Sequence, residues 1–100
     1  MHISDILSKT KPSLSFEFFP PRSEPAWGEL YETIRNLEEL RPSFVSVTYG
    51  AGGTTRELTH DLVLRIRQTT SIPPVPHLTC VGHTKEEIHS ILERYAAAGV

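Results

Sequence analysis

Short runs of strand-forming residues alternate with helical patterns along the chain. The first predicted strand covers residues 14–19 and ends before Pro20, because proline cannot donate to a neighbouring strand. The second covers residues 44–49, which are mostly β-branched or aromatic, and the third covers residues 75–80. The strands begin about 30 residues apart, the length of one strand and one crossover helix.

Three helices are predicted from apolar residues that recur three or four positions apart and so share one helical face. The three stripes are Trp27, Leu30, Tyr31, Ile34, Leu37 and Leu40; Leu58, Leu62, Val63 and Ile66; and Ile88, Ile91, Leu92 and Tyr95. Ser23 is expected to cap the first helix. Thr84 and Glu87 predict a capping box at the start of the third, and Gly99 is expected to end it.

The strand–helix–strand order contains no hairpin signal, so we expect parallel strands joined by right-handed crossovers. Eight such units form a (β/α)8 TIM barrel of about 250 residues. A chain of 100 residues holds three of them. We therefore predict that residues 1–100 are the N-terminal part of a single α/β barrel domain and stop before its fourth strand. A Rossmann or flavodoxin-like sheet is the competing architecture.

Composition narrows the class of protein. Ten basic and twelve acidic residues give a net charge of −2, which provides no strong field for nucleic acid or anionic lipid. No apolar run approaches the roughly 20 residues of a membrane-spanning helix, and residues 1–13 lack the pattern of a signal peptide. The single cysteine, Cys80, excludes an internal disulfide and is typical of a reducing compartment, so we expect a cytoplasmic protein.

Alternation along the three predicted strands separates an apolar face from a face with polar groups. The second face contains Ser15, Glu17 and Phe19 from the first strand, Ser46 and Thr48 from the second, and His77 and Thr79 from the third. In a barrel this face points inward, and the active site lies at its C-terminal rim. An acid, a hydroxyl and an imidazole should therefore converge there from three successive strands.

Glu17 is the central candidate of this face, because an ionised carboxylate in a buried strand is costly unless it is paired. One interpretation is a structural ion pair with an arginine such as Arg22 or with a residue further along the chain. The other is a carboxyl group that burial keeps protonated, so that it can donate a proton near neutral pH. The sequence pattern leaves both open.

Other polar residues give weaker signals. His77 is equally consistent with a core histidine and with a ligand-binding group. His77, Cys80 and His83 have a spacing that could suggest zinc, but the first two lie on opposite faces of a strand and no second ligand pair follows, so we expect no metal. Cys80 is predicted to be a small buried residue, and His60 a surface or helix residue. Residues 50–55 match a phosphate-binding loop only weakly.

Three collinear motifs resemble a known family. Residues 15–22 (SFEFFPPR), 44–51 (FVSVTYGA) and 76–80 (PHLTC) are similar in order and spacing to the first three strands of methylenetetrahydrofolate reductase of the bacterial type. The resemblance extends over about residues 13–100. It implies an eight-stranded barrel that holds FAD and passes a hydride from NADH or NADPH through the flavin to 5,10-methylenetetrahydrofolate, giving 5-methyltetrahydrofolate.

The resemblance also implies roles for individual residues. Glu17 matches the general acid that protonates the leaving nitrogen of the folate, and Phe19 is expected to line the pocket shared by nicotinamide and folate. Tyr49, Ala51 and His77 would contact FAD. Thr48 would lie near both the flavin and the nicotinamide. The full-length protein is expected to be a homo-oligomer, whereas the first 100 residues alone should neither bind FAD nor turn over.

Two other functions remain open at this point. In one, the barrel is a lyase or isomerase without flavin, and Glu17 is its general base. In the other, it is a non-catalytic interaction or regulatory module, in which replacing Glu17 leaves function unchanged or raises stability because a costly buried acid is removed.

Overall fold

Strands and helices alternate along the chain in the computed structural model, which describes residues 2–9, 11–50 and 56–100. The elements are α1 (Ile3–Lys9), β1 (Ser15–Phe18), α2 (Glu24–Glu38), β2 (Phe44–Val47), α3 (Arg56–Thr69), β3 (Pro74–Pro76) and α4 (Lys85–Ala97). The predicted repetition of strand and helix is therefore confirmed, and the fold class is α/β.

The three strands form one parallel sheet in the order β1-β2-β3. In its register Glu17 is paired with Ser46, and Ser46 is paired with Val75. Both connections are helical crossovers, as expected for parallel neighbours. Three strands do not close a barrel, so the sheet confirms the parallel α/β part of the prediction, and the closed (β/α)8 barrel stays a prediction.

The core lies on one face of the sheet, between the strands and helices α2, α3 and α4. Its strand residues are Phe18, Val45 and Val47, all at the positions that alternation assigned to the apolar face. The helices contribute Ile34, Leu62, Val63, Ile66, Ile91 and Tyr95. Burying this apolar surface is the main favourable contribution to folding, and it leaves the opposite face of the sheet uncovered by helices.

The predicted ends of α4 are confirmed. The Thr84 hydroxyl accepts a hydrogen bond from the Glu87 backbone N–H, and the Glu87 carboxylate accepts one from the Thr84 N–H, which together form the capping box. Gly99 follows the helix with a φ of 81°, a left-handed conformation that glycine adopts without steric cost. At α2, Ser23 occupies the N-cap position with extended backbone but makes no side-chain capping hydrogen bond.

Several boundaries differ from the predictions. Helix α1 was not predicted, because a seven-residue helix with one buried residue, Ile6, has no apolar stripe. Strand β3 ends at Pro76 and not at residue 80, and Cys80 is exposed with a φ of 65°, so the prediction of a buried, extended Cys80 was wrong. Leu40 and Leu92 were also expected in the core and are exposed. Leu40 lies beyond the end of α2 at Glu38.

None of the helices within residues 2–9, 11–50 and 56–100 combines the length and apolar character needed to cross a membrane.

Candidate functional site

Side chains from all three strands meet on the uncovered face of the sheet. Ser46 Oγ donates a hydrogen bond of 2.8 Å to Glu17 Oε1, and His77 Nε2 lies 3.3 Å from the same oxygen. The parallel register explains the first contact, because Glu17 and Ser46 are direct neighbours across β1 and β2. His77 follows β3 and donates its backbone N–H to Val47 O. The predicted convergence of an acid, a hydroxyl and an imidazole is therefore confirmed.

The surroundings of Glu17 differ from those that we expected. The side chain of Glu17 is 50% exposed and that of His77 is 46% exposed, because no helix covers this face of the sheet. The prediction that Glu17 is buried between aromatic residues was therefore wrong for residues 1–100 taken alone. The alternative interpretation, an ion pair between Glu17 and an arginine such as Arg22, also differs from the structure. Within the described residues Glu17 contacts His77 and Ser46, and Arg22 is exposed to solvent.

Two further predicted site residues lie beside this group. The Phe19 side chain, directly after β1, is 72% exposed, an unusual position for a large aromatic ring. Thr48, directly after β2, is half-buried, and its backbone is held from two sides: its N–H donates to Phe18 O, and its carbonyl accepts a 2.8 Å hydrogen bond from Thr59 Oγ1 of α3. The backbone at Thr48 is therefore tied to both β1 and α3.

Tyr49 occupies a different place from the other candidates. It is only 1% exposed, and its hydroxyl lies 2.7 Å from His83 Nε2, in the segment between β3 and α4. The two rings meet edge to face at 5.7 Å. Burial raises the pKa of the Tyr49 phenol above 10, so this hydroxyl keeps its proton at neutral pH. The predicted contact residue Ala51 lies outside the described residues.

The contact between Tyr49 and His83 extends into a charged network that the sequence analysis missed. Glu87 Oε2 accepts a 2.9 Å hydrogen bond from Arg56 Nη1 and lies 3.8 Å from His83 Nδ1. The backbone N–H of Thr84 and then the Arg56 guanidinium lower the pKa of Glu87, which keeps it ionised. The capping-box spacing identified Glu87, but no local pattern connects it to Arg56, which lies 31 residues earlier.

A second buried group, between α3 and α4, was also missed. His60 was expected to be a surface or helix residue; it lies on helix α3 but is fully buried, and its ring lies 4.9 Å from that of Tyr95. Within the described part of the chain, the two nitrogens of His60 have no hydrogen-bond partner. The Tyr95 hydroxyl has none there either. Burial lowers the pKa of His60 and raises that of Tyr95. His60 and Thr59 are thus polar residues on the buried side of α3, beside the apolar residues Leu62, Val63 and Ile66.

The spacing of His77, Cys80 and His83 does not produce a cluster of ligands. His77 points to Glu17, whereas His83 contacts Tyr49 on the other side of the sheet. Across residues 2–9, 11–50 and 56–100, no three His, Cys, Asp or Glu side chains lie close enough together to hold a metal ion.

The uncovered face does have the features of a site for a flat, partly polar cofactor. It offers an exposed aromatic ring at Phe19 and an imidazole at His77 beside a carboxyl group. Such a mixture of an apolar surface and a few polar groups is typical of cofactor sites. The residues present therefore fit a flavin, which needs both a surface for its ring and hydrogen-bonding groups at its edge.

Known proteins similar to this chain come from one family. Residues 2–100 match the family profile of methylenetetrahydrofolate reductase. The chain is 40% identical over 88 residues to the 5,10-methylenetetrahydrofolate reductase of Pectobacterium carotovorum and 41% identical over 88 residues to that of Escherichia coli. Each match covers 88% of this chain and 30% of the relative.

A plant relative is more distant. The Arabidopsis thaliana protein named methylenetetrahydrofolate reductase (NADH) 1 is 33% identical over 98 residues, which is 98% of this chain and 17% of that protein. The chain thus spans about 30% of the length of the bacterial relatives. The profile match over nearly the whole sequence agrees with the resemblance of the three strand motifs, and the chain belongs to the methylenetetrahydrofolate reductase family.

Proposed function

We propose that the full-length protein is a flavin-dependent oxidoreductase of one-carbon metabolism. It reduces 5,10-methylenetetrahydrofolate to 5-methyltetrahydrofolate, with NADH or NADPH as the source of the hydride. Family membership supports the reaction class. The observation that carries the proposal is the position of Glu17, whose carboxyl group lies on the uncovered face beside Ser46 and His77.

The three strands are proposed to be the first three of an eight-stranded barrel, with residues 1–100 as its N-terminal part. The order β1-β2-β3 argues against a flavodoxin-like sheet, in which the first strand lies between the second and third. It is also the order in the first half of a Rossmann sheet, so the support for a barrel comes from the two faces of the sheet. A Rossmann sheet is covered by helices on both faces, whereas here the second face has Glu17, Ser46 and His77. Polar groups at the C-terminal ends of the strands are typical of a barrel mouth.

Glu17 is the proposed proton donor. Both of its contacts involve Oε1, since Ser46 donates to that oxygen and His77 lies beside it. We propose that the other oxygen, Oε2, presents the proton to the folate. Opening the folate's five-membered ring requires a proton on the leaving nitrogen, which Glu17 supplies when the rest of the barrel encloses the site and excludes water.

FAD would be held by the rim residues of β2 and β3. Bound flavin supplies the hydride-transfer chemistry, and the protein supplies position and electrostatics. His77 would contact the flavin through its imidazole, and Thr48 would lie beside the flavin and the nicotinamide. Because the Tyr49 side chain is buried against His83, a contact of Tyr49 with FAD would come from its backbone. Phe19 would cover the nicotinamide or the folate with its exposed ring.

The experiment is Glu17→Gln in the full-length protein, followed by stopped-flow measurement of the two half-reactions. Reduction of the flavin by NADH should persist, because it needs no proton from Glu17. Reoxidation by methylenetetrahydrofolate should slow by about 10²–10⁴-fold, the usual contribution of a general acid. Glu32→Gln, at an exposed position of α2, is the matched control.

Equal losses in both half-reactions would assign Glu17 a structural role and contradict the mechanism. The absorption spectrum of the purified protein tests the flavin itself. A colourless full-length protein would favour a lyase, an isomerase or a non-catalytic barrel.

The remaining expectations belong to the same proposal. The single cysteine suits a reducing compartment, which supports a cytoplasmic location. The homo-oligomeric state is checked by the mass of the full-length protein in solution.

A further inference from the structure

The hydrogen bond between Tyr49 and His83 joins two parts of the chain that carry predicted cofactor residues. Tyr49 directly follows Thr48 at the rim end of β2, and His83 lies in the segment between His77 and α4. The two residues are 34 positions apart in sequence, and their side chains are 2.7 Å apart. The bond therefore ties the residue after Thr48 to the segment that follows His77, on the helical side of the sheet.

This bond is protected from water, which makes it sensitive to substitution. Tyr49 is 1% exposed, and the side chain of His83 is 6% exposed. A buried polar atom that loses its partner keeps the full cost of leaving water, so removing either partner penalises the native arrangement more than removing an exposed one. Because Tyr49 is buried, water does not readily replace His83 as the hydrogen-bond partner of its hydroxyl.

An ionised carboxylate lies beside the His83 ring. Glu87 Oε2 lies 3.8 Å from His83 Nδ1, and the same oxygen accepts the hydrogen bond from Arg56. A negative charge beside Nδ1 favours the tautomer with its proton on Nδ1, which leaves the Nε2 lone pair to accept the Tyr49 hydroxyl proton. Glu87 also forms the capping box with Thr84, so its own position is set by the start of α4.

The backbone around Thr48 is also fixed by hydrogen bonds. The Thr48 carbonyl accepts from the buried Thr59 hydroxyl of α3, and the Val47 carbonyl accepts from the His77 N–H. Around Tyr49, therefore, β2 is connected to α3, to β3 and to the start of α4 by separate hydrogen bonds. The Tyr49–His83 bond connects the end of β2 to the segment that leads into α4.

We propose that Tyr49 and His83 are positioning residues for the flavin site: their buried hydrogen bond holds the chain after Thr48 against the segment that follows His77, and so steadies the two rim residues that would contact FAD. This inference rests on the proposed function. Neither side chain touches the flavin in this arrangement, since both lie on the helical side of the sheet. They act through the backbone of the strand ends that they join.

The test measures FAD binding to apo full-length protein by titration of flavin fluorescence. Tyr49→Phe and His83→Leu should each weaken FAD binding roughly ten-fold, the size expected when one buried hydrogen-bond partner is lost. His83→Gln keeps a polar atom near the position of Nε2 and should restore part of the affinity. The double variant should bind FAD no more weakly than either single variant, because both remove the same bond. The exposed His89, which lies 3.1 Å from Glu93 on the solvent side of α4, provides the control His89→Leu.

Thermal unfolding of the apo variants separates positioning from a purely structural role. Lower unfolding midpoints with unchanged FAD affinity would overturn the inference, and so would losses that multiply to about 100-fold in the double variant. If the parent protein binds FAD and both single variants bind it equally well, the inference alone is wrong. If the parent protein binds no flavin, the proposed function is wrong and this inference with it.

Discussion

Replacing His60 by leucine should stabilise the protein and remove part of its sensitivity to acid. His60 is fully buried on α3 against the Tyr95 ring, and within the described residues its two nitrogens have no hydrogen-bond partner. Burial holds its pKa below the ordinary value of 6.5, and the positive charge of Arg94 acts in the same direction, whereas Glu57 opposes it. The imidazole is therefore neutral in the folded protein.

The sign of the pH effect follows from proton linkage. Below pH 6.5 the unfolded chain binds a proton at His60 and the folded chain does not, so stability falls as the pH falls toward the lower, folded pKa. For a single proton the slope is at most about 1.4 kcal/mol per pH unit. Between about pH 6.5 and 5.5, His60 thus costs the native protein up to about 1 kcal/mol, a contribution that His60→Leu removes.

The substitution also changes stability at neutral pH. Leucine has nearly the volume of histidine but no polar atoms, so it fills the site without the cost of unpaired nitrogens, worth about 1 kcal/mol or more. The assay is urea unfolding of the full-length protein at several pH values from about 7.5 to about 5.5. His2→Leu, which removes an exposed histidine, is the matched control. Parallel pH profiles for the parent protein and His60→Leu would refute the reasoning, because they would mean that His60 binds its proton in the folded state as readily as in the unfolded one.

Two further predictions concern α4 and are measured by urea unfolding. Ile91→Ala should lower the free energy of unfolding by about 2–5 kcal/mol, because Ile91 is buried in the core. Leu92→Ala, at the exposed neighbouring position, should lower it much less. Equal losses would contradict the assignment of Ile91 to the core face of α4. Thr84→Ala should lower the free energy of unfolding by about 1 kcal/mol, because it removes the N-cap hydroxyl that accepts from Glu87 N–H. Thr84→Ser should keep most of this stability. If Thr84→Ser were as unstable as Thr84→Ala, the hydroxyl would not be the stabilising group.

Local patterns were reliable where one residue spacing decides the structure. The capping box at Thr84 and Glu87, the glycine after α4 and the apolar parity of β1 and β2 all depend on neighbours within a few residues. The same local reasoning failed after Pro76, where β3 ends before its predicted end at residue 80, and Cys80 adopts a left-handed backbone conformation instead of an extended one. It also missed α1, whose short length leaves too few positions for a periodic signal.

The candidate site shows the same division. Alternation placed Glu17, Ser46 and His77 on one face, and the parallel order of the strands then made their meeting predictable without coordinates. The degree of exposure was not predictable, because it depends on which surfaces cover that face. Glu17 was expected to be enclosed and is half exposed among the described residues.

The sequence by itself determined the three strand–helix repeats, the apolar face of the sheet and the family, since periodicity, capping and strand motifs are all encoded over short stretches. Only the tertiary structure decided which distant polar groups pair. The Tyr49–His83 bond and the Arg56–Glu87 ion pair each join residues about thirty positions apart, and the buried His60 faces Tyr95 across two helices. Such contacts depend on how the helices pack on the sheet. That packing is determined by the side chains of all the elements together and not by any one stretch of sequence.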